Sequence, residues 1–473
     1  MNGYQYLTND CLIQIFSFLQ ADDLINTSSV CKQWHEAADT PWLWREMCLQ
    51  RWGFCNISVV GAGRGKQQWK AYYLRRFHLE MKMTRGRSSG DYCCKSLRGH
   101  SGRVVGLDYL KGNSPQLFDF YSCTPTVCSA SSDGTVRAWD VQKGEQLWCS
   151  PLQSPMASLV VDVCHGVIIT ADSTGVIKAW QGQTGQEMAS YSSESPHCTL
   201  LQYSIDNNSY VSVGTSQGAV HTLSSPSLSK LSGLVVCDTF KVNLLQTSPD
   251  KKWTLAGTKE NNDLSPKVIS SQSLVTPTEE EEPQCQCLAV PGCCAVAFIP
   301  SQPARLATIH HRDNFHNRTL SMFDISMKKN KYKSEIQVQQ VASFDVGINS
   351  TTSDVLLEAK GSTLVVVADK VLRVYSLTGA LLASFSDHTE PITSICVDSF
   401  HVVTASRDLS LRVLTWSRDC NKGLTLDSRY HLLGGSHSMS RGFTRVVCDY
   451  SSIIASTEAV DGRDVLKAYS FSN

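Results

Sequence analysis

The chain has 473 residues, of which 42% are hydrophobic and 18% charged, with 43 Lys plus Arg balanced by 43 Asp plus Glu. This composition excludes a disordered chain, and the neutral balance excludes a global field that would draw nucleic acid or an anionic membrane, so neither is expected as a partner. No apolar run reaches the roughly 18 residues of a spanning helix, and the opening MNGYQYLTND lacks a signal-peptide apolar stretch, so a cytoplasmic and/or nuclear protein is expected.

The first predicted elements are helical. Leu12, Ile15, Phe16 and Leu19 fall at helical spacing behind Thr8, Asn9 and Asp10, any of which can cap the start. Asp22 is placed to cap a second segment whose apolar side carries Leu24, Val30, Cys31 and Trp34. Thr40-Pro41 supplies a cap and a first-turn proline to a third helix through Trp42, Leu43, Trp44 and Met47. Three short helices cannot bury so many large side chains among themselves, which implies a partner surface.

These residues carry a family resemblance. Leu12-x-x-Ile15-Phe16-x-x-Leu19, Asp23-Leu24, Val30-Cys31-x-x-Trp34 and Pro41-Trp42-Leu43-Trp44 resemble the F-box motif in order and spacing. The resemblance implies an F-box domain over residues 3–50 that docks a Skp-type adaptor, and through it cullin and RING subunits, with Leu7, Leu12, Ile15, Phe16, Leu19, Leu24, Val30, Trp34, Pro41 and Trp42 as the adaptor-binding set. One departure stands out: F-boxes usually open with Leu-Pro, and here Leu7 is followed by Thr8. The alternative is a helical cap with no partner.

Residues 51–91 read as a helical linker. The glycine-rich Gly61–Lys66 stretch has no preceding strand, and Lys66 lacks a following Ser or Thr, so it is no phosphate loop. Trp69, Tyr72, Tyr73, Arg76 and Phe77 then form a basic, aromatic helix. It is either a rigid connector, as in F-box proteins that carry a propeller, or a loosely packed linker.

From residue 92 to 473 the pattern turns to short alternating strands separated by Gly, Asp, Ser and Asn turns. Val127–Asp140 recurs as Ile168–Trp180 and again as Val402–Leu414, and Trp139 and Trp180 are 41 residues apart, the period of one propeller blade. With Gly99-His100 ahead of the first unit and Trp139-Asp140 ending its third strand, the region resembles the WD-repeat family. Eight third strands can be counted, which favours eight blades, with seven as the alternative, and Tyr92–Leu97 is placed to close the ring. The fold expected is therefore a small all-α F-box followed by an all-β WD40-type propeller.

His100, Ser129, Asp133 and Trp139 have the types and spacing of a buried hydrogen-bond chain that locks a blade. His388, Thr404 and Asp408 repeat it, with Leu414 in the tryptophan position. The same His, Ser and Asp imitate a hydrolytic triad, but their recurrence assigns them to the repeat rather than to catalysis. Arg137, Lys178, Arg373, Arg412 and Lys467 also track the repeat and read as lateral ion-pairing or snorkelling side chains.

Propellers of the family bind targets on one face, at strand starts and just before the tight turns. Arg407 holds such a position, where the other units carry Ser132, Ser173, Ser216 and Glu458, while Arg103 and Arg445 lie near the starts of first strands. A guanidinium fork matches phosphate, so these three arginines are candidate contacts to a protein substrate, phosphorylated or not.

The 19 cysteines are scattered with no CxxC, and no Cys/His set has zinc spacing. Thr276–Pro283 is an acidic insertion with a candidate proline-directed phosphosite at Thr276, and His310, His311 and His316 read as a loop, not a metal site. No cofactor, no metal and no catalytic residue are expected. The resemblance implies a non-catalytic substrate receptor of an SCF-type ubiquitin ligase that delivers targets for proteasomal degradation; the alternative is a non-degradative WD-repeat scaffold.

Overall fold

The computed structural model describes residues 7–52, 68–110, 125–277, 283–311, 318–329, 334–348, 354–398, 400–419, 423–434, 440–449 and 451–472. It separates two compact units, one ending at Asp91 and the other running from Tyr92 to Phe471. The Gly61–Lys66 stretch, Thr278–Glu282 and His316 lie outside the described residues.

The first unit is helical: α1 (Asn9–Phe16), α2 (Ala21–Thr27), α3 (Lys32–Ala38), α4 (Pro41–Trp52) and α5 (Gln68–Arg85). Thr8 caps α1, its hydroxyl accepting from the Cys11 N–H at 3.4 Å, so threonine does the work of ordering the first turn where a proline is usual. The sequence reading of one second segment is corrected to two helices. Asp22 sits in the first turn of α2 behind Gln20 as cap, and Cys31 is the extended residue that restarts the chain into α3. Acidic Asp22 and Asp23 still favour that helix start by facing its positive end.

Indole and phenol rings hold the unit. Trp44 is fully buried, donates from Nε1 to the Ala38 carbonyl at 2.8 Å, and packs on Tyr73 of α5 with ring centroids 5.5 Å apart. Arg51 of α4 grips Glu80 of α5 with two bonds of 3.1 and 3.2 Å while its guanidinium lies over Phe77. Lys70 of α5 also pairs with Asp39. These contacts make α5 an integral layer of the helical unit.

In the second unit, the described strands form eight four-stranded antiparallel sheets. Their first strands are Val104–Tyr109, Met156–Asp162, Thr199–Ile205, Leu244–Thr247, Cys293–Ile299, Val355–Lys360, Ile392–Val397 and Ser440–Cys448, each packing on the next and the last returning to the first. The expected third strands all fall third in their sheets, and the ring is an eight-bladed propeller. Cys93–Leu97 pairs with Val465–Ser470 as the outer strand of blade eight, with Cys93 opposite Ser470 and Leu97 opposite Leu466. Start and end of the second unit thus share one sheet, which removes a free edge.

Among the described residues, apolar side chains fill the seams between neighbouring blades: Cys128, Ala130 and Ala138 of blade one meet Ile168 and Trp180 of blade two, and Leu107 and Trp139 of blade one meet Leu97, Ile454 and Leu466 of blade eight across the closing seam. The inner strands are buried on both faces, which explains strands such as Val167–Asp172 that are apolar at consecutive positions rather than alternating, while outer strands such as Glu187–Ser192 are largely exposed. The tight turn between second and third strands needs a left-handed residue. In blade one Gly134 takes φ +78°, and a Cβ there would lie 2.1 Å from the Gln153 carbonyl oxygen.

Candidate functional site

The helical unit divides the ten residues expected to bind an adaptor. Leu12, Phe16 and Leu24 are buried, with Phe16 set edge-on against Trp34 at 5.4 Å, so they build the unit and cannot touch a partner without opening it. Leu19, Trp34 and Pro41 are half-buried. Leu7, Ile15, Val30 and Trp42 are exposed, and Phe18, which the helical stripe passed over, is 85% exposed. Its signal was legible as an aromatic just past the end of α1, off the apolar stripe of that helix. With Met81 of α5, six large apolar side chains of the described part of this unit are exposed.

The blade-one residues His100, Ser129, Asp133 and Trp139 form a single hydrogen-bonded chain. Trp139 Nε1 donates to Ser129 Oγ at 2.8 Å, Ser129 Oγ meets His100 Nε2 at 2.8 Å, and His100 Nδ1 meets Asp133 Oδ2 at 3.1 Å. Asp133 also receives the Ser101 N–H at 2.8 Å, the Thr135 N–H at 2.9 Å and the Thr135 hydroxyl at 2.6 Å. Burial alone would raise the Asp133 pKa; the bonds from His100, Thr135 and Ser101 outweigh it and hold the carboxylate well below its usual range. Ser129 Oγ is enclosed and already engaged by both the indole and the imidazole, so no substrate can reach it as a nucleophile.

Blade seven repeats the set. His388 bridges Asp408 and Thr404 at 2.8 Å each, and Leu414 leaves the chain without its indole. Burial lowers the His388 pKa against the opposing pull of Asp408. A second recurrent aspartate escaped the sequence reading. Asp162, Asp398 and Asp449 each end or follow a first strand and bind the N–H groups of the turn beyond: Cys164, His401 and Ser452 respectively. The signal was the repeated Val-Asp or Cys-Asp at that point.

The laterally placed basic residues stay within the ring's fabric. Lys178 pairs with Glu187 at 2.8 Å, Arg412 donates to the Asp387 carbonyl at 2.7 Å, Arg373 to the Val346 carbonyl at 3.1 Å, Arg137 to Gln146, and Lys467 to Ser96. Only the first of these is an ion pair. Elsewhere, His310 lines a cavity of about 290 Å³ in blade five with Ser321, Gln340, Phe344 and Asp345, and bonds Ser321 Oγ at 2.9 Å. Thr276 is exposed, and its hydroxyl donates to the Gln272 carbonyl at the end of α6 (Ser271–Val275). Among the described residues no three His, Cys, Asp or Glu side chains are gathered as for a metal, and no helix is long and apolar enough to cross a membrane.

Two of the three candidate arginines, Arg103 and Arg407, come to one face. Ser132 N–H bonds the Arg103 carbonyl at 2.8 Å, just as Arg407 N–H bonds the Pro391 carbonyl at 3.2 Å, so these positions correspond between blades. Strand register makes Glu458 the blade-eight counterpart of Arg407: Phe443 pairs with Thr457 as Ile392 pairs with Ser406. Blade eight passes tightly over blade seven here, since a Cβ on Gly442 would lie 2.3 Å from Arg407 Cα. Glu458 Oε1 lies 3.1 Å from Arg103 Nη2 and 3.9 Å from Nη1 of Arg441, an arginine the sequence reading missed. Arg445, farther along the same strand, reaches solvent while its surroundings lower its pKa by burial. Arg407 is exposed, and among the described residues neither its side chain nor that of Arg445 is in an ion pair.

An F-box-like family model matches residues 9–50, and the described strands from Cys93 to Ser470 form an eight-bladed propeller with WD-type blade networks. In architecture the chain thus resembles F-box/WD-repeat proteins. Among relatives, it is 28% identical to human F-box/WD repeat-containing protein 12 over 97% of each chain, and 25% identical to mouse F-box/WD repeat-containing protein 15 over 94% of each. It is 24% identical to the probable E3 ubiquitin ligase complex SCF subunit sconB of Arthroderma otae, over 28% of this chain and 22% of that protein. Among solved structures, the Dos1 propeller superposes with a TM-score of 0.55 at 12% identity, covering 80% of this chain and 94% of that one, a likeness of fold.

Proposed function

We propose that this chain is the substrate-recognition subunit of an SCF-type ubiquitin ligase. Its F-box-like unit docks a Skp-type adaptor and, through it, cullin and RING subunits, while the propeller holds a target protein for ubiquitination and proteasomal degradation. The observation that carries this reading is the set of exposed apolar side chains Leu7, Ile15, Phe18, Val30 and Trp42 on an otherwise well-filled helical unit. The likeness to the sconB protein, a probable SCF subunit, supports it. The chain's own contribution is proximity: it positions a target beside a transferring enzyme on another chain and breaks no bond itself.

The test is co-purification from cells of full-length chain and of the Phe18→Ser, Val30→Ser, Trp42→Ser triple variant. Adaptor and cullin should accompany the wild type and be lost from the triple variant, whose helical content stays unchanged. A wild-type chain that recruits neither is a scaffold instead.

Within this reading, Arg407, Arg103 and Arg445 contact an anionic segment of the target, phosphorylated or acidic. Support comes from the common face of Arg103 and Arg407 and from the absence of an ion pair at Arg407 and Arg445 among the described residues. Arg407→Ala should abolish capture of the target; unchanged capture removes these arginines from recognition.

A further inference from the structure

Glu458 breaks the chemistry of the face it occupies. The corresponding position carries arginine in blade seven and serine in blades one and two, yet blade eight places a carboxylate there. That carboxylate is mostly covered, its side chain 16% exposed, whereas Arg103 and Arg441 above it are 61% and 56% exposed. One oxygen, Oε1, serves both guanidinium groups, which come from different blades, blade one and blade eight. The result is an internal anion seated between two outward-facing cations.

The neighbourhood is not neutralised by it. Two guanidinium charges share one carboxylate; the next acid, Asp464, accepts the Val104 N–H at 2.8 Å and is also drawn to Arg103, so the excess of positive charge rests on Arg407 as the third cation. Arg407, whose backbone abuts Gly442, adds a further exposed cation beside Arg441. An anion arriving at Arg103 and Arg441 therefore finds attractive charge, but must share or displace the carboxylate already bound. A carboxylate from a ligand would exchange like for like. A phosphate brings up to two charges and three acceptor oxygens, and so gains where a carboxylate does not.

We propose that Glu458 is an internal counter-anion that competes with the target for Arg103 and Arg441, raising the charge an incoming anion must carry before this face holds it. The inference rests on the reading that the face takes an anionic target. Glu458 is a specificity-determining residue in this scheme, acting by occupying the guanidinium groups rather than by touching the target.

The probe is a fluorescein-labelled peptide made in three versions with two phosphoserines, two glutamates or two serines, titrated by fluorescence polarisation into the full-length chain. Glu458→Gln keeps size and hydrogen-bonding shape while removing the charge. It should tighten the phosphoserine version about tenfold and raise the glutamate version to measurable binding, leaving the serine version unbound. Adding Arg103→Ala and Arg441→Ala should erase the gain. Glu458→Asp, which withdraws the carboxylate by one methylene, serves as the second variant should the glutamine form melt early. Wild-type binding that neither Glu458 variant strengthens overturns the competition while leaving anion recognition intact. Silence of wild type and both variants toward every charged version removes anion recognition, and this role of Glu458 with it.

Discussion

Replacing Asp133 by alanine tests whether the blade-one network acts as a unit. Asp133 receives His100, the Ser101 and Thr135 N–H groups and the Thr135 hydroxyl, and both its side chain and that of His100 are nearly inaccessible. Removal strands a buried imidazole and two amides, a loss of about 3–5 kcal/mol for a broken buried pair. Asp172 is the internal control. It occupies the same turn in blade two and accepts the Thr174 N–H, the Thr174 hydroxyl and the Val176 N–H, with no histidine behind it. Asp172→Ala should therefore cost less, about 1–2 kcal/mol, since it leaves only turn amides and a hydroxyl, and no buried imidazole, without a partner. Unfolding of roughly 380 residues has an entropy near 0.8 kcal/mol/K, so these losses correspond to Tm shifts of about 4–6 °C and 1–3 °C. Differential scanning calorimetry of the two variants reads them directly. Equal shifts, or a larger one for Asp172, would refute the claim that histidine and tryptophan bind this turn into one cooperative network.

The remaining predictions concern acid, turns and the helical unit. Asp133 and Asp408 both have folded pKa values below the unfolded value near 3.9, so the unfolded chain binds more protons and stability must fall as pH drops below about 4; Asp133→Asn should flatten that slope in acid urea titrations. Gly134→Ala should cost about 3 kcal/mol or more because its Cβ meets the Gln153 carbonyl, whereas Gly166→Ala, also at positive φ but with open space around it, should cost about 1 kcal/mol; urea midpoints compare them. Phe16→Ala should destabilise the helical unit by about 3–5 kcal/mol and expose it to native-state proteolysis, while Phe18→Ala should change stability by no more than about 0.5 kcal/mol.

Local sequence determined much of this molecule because its units are local. A blade is built from residues within about 40 positions, so the spacing of His100, Ser129, Asp133 and Trp139 already dictated which turn they lock and how often the pattern recurs. The closing strand was legible for the same reason: the eighth unit holds three strands and leaves one edge to pair. The apolar pattern of the first fifth likewise announced helices. It did not separate core from surface, because Leu12 and Ile15 lie on one helical stripe and only packing of α1 on α3 buries the former while leaving the latter exposed. The break between α2 and α3 at Cys31 was equally a matter of packing.

The arginine face belongs wholly to tertiary structure. Arg103 and Glu458 stand 355 positions apart and meet at 3.1 Å only because the ring closes and sets blade eight beside blade one. Local periodicity states what each blade contains; which charges become neighbours across a seam depends on closure, and no short-range pattern encodes it.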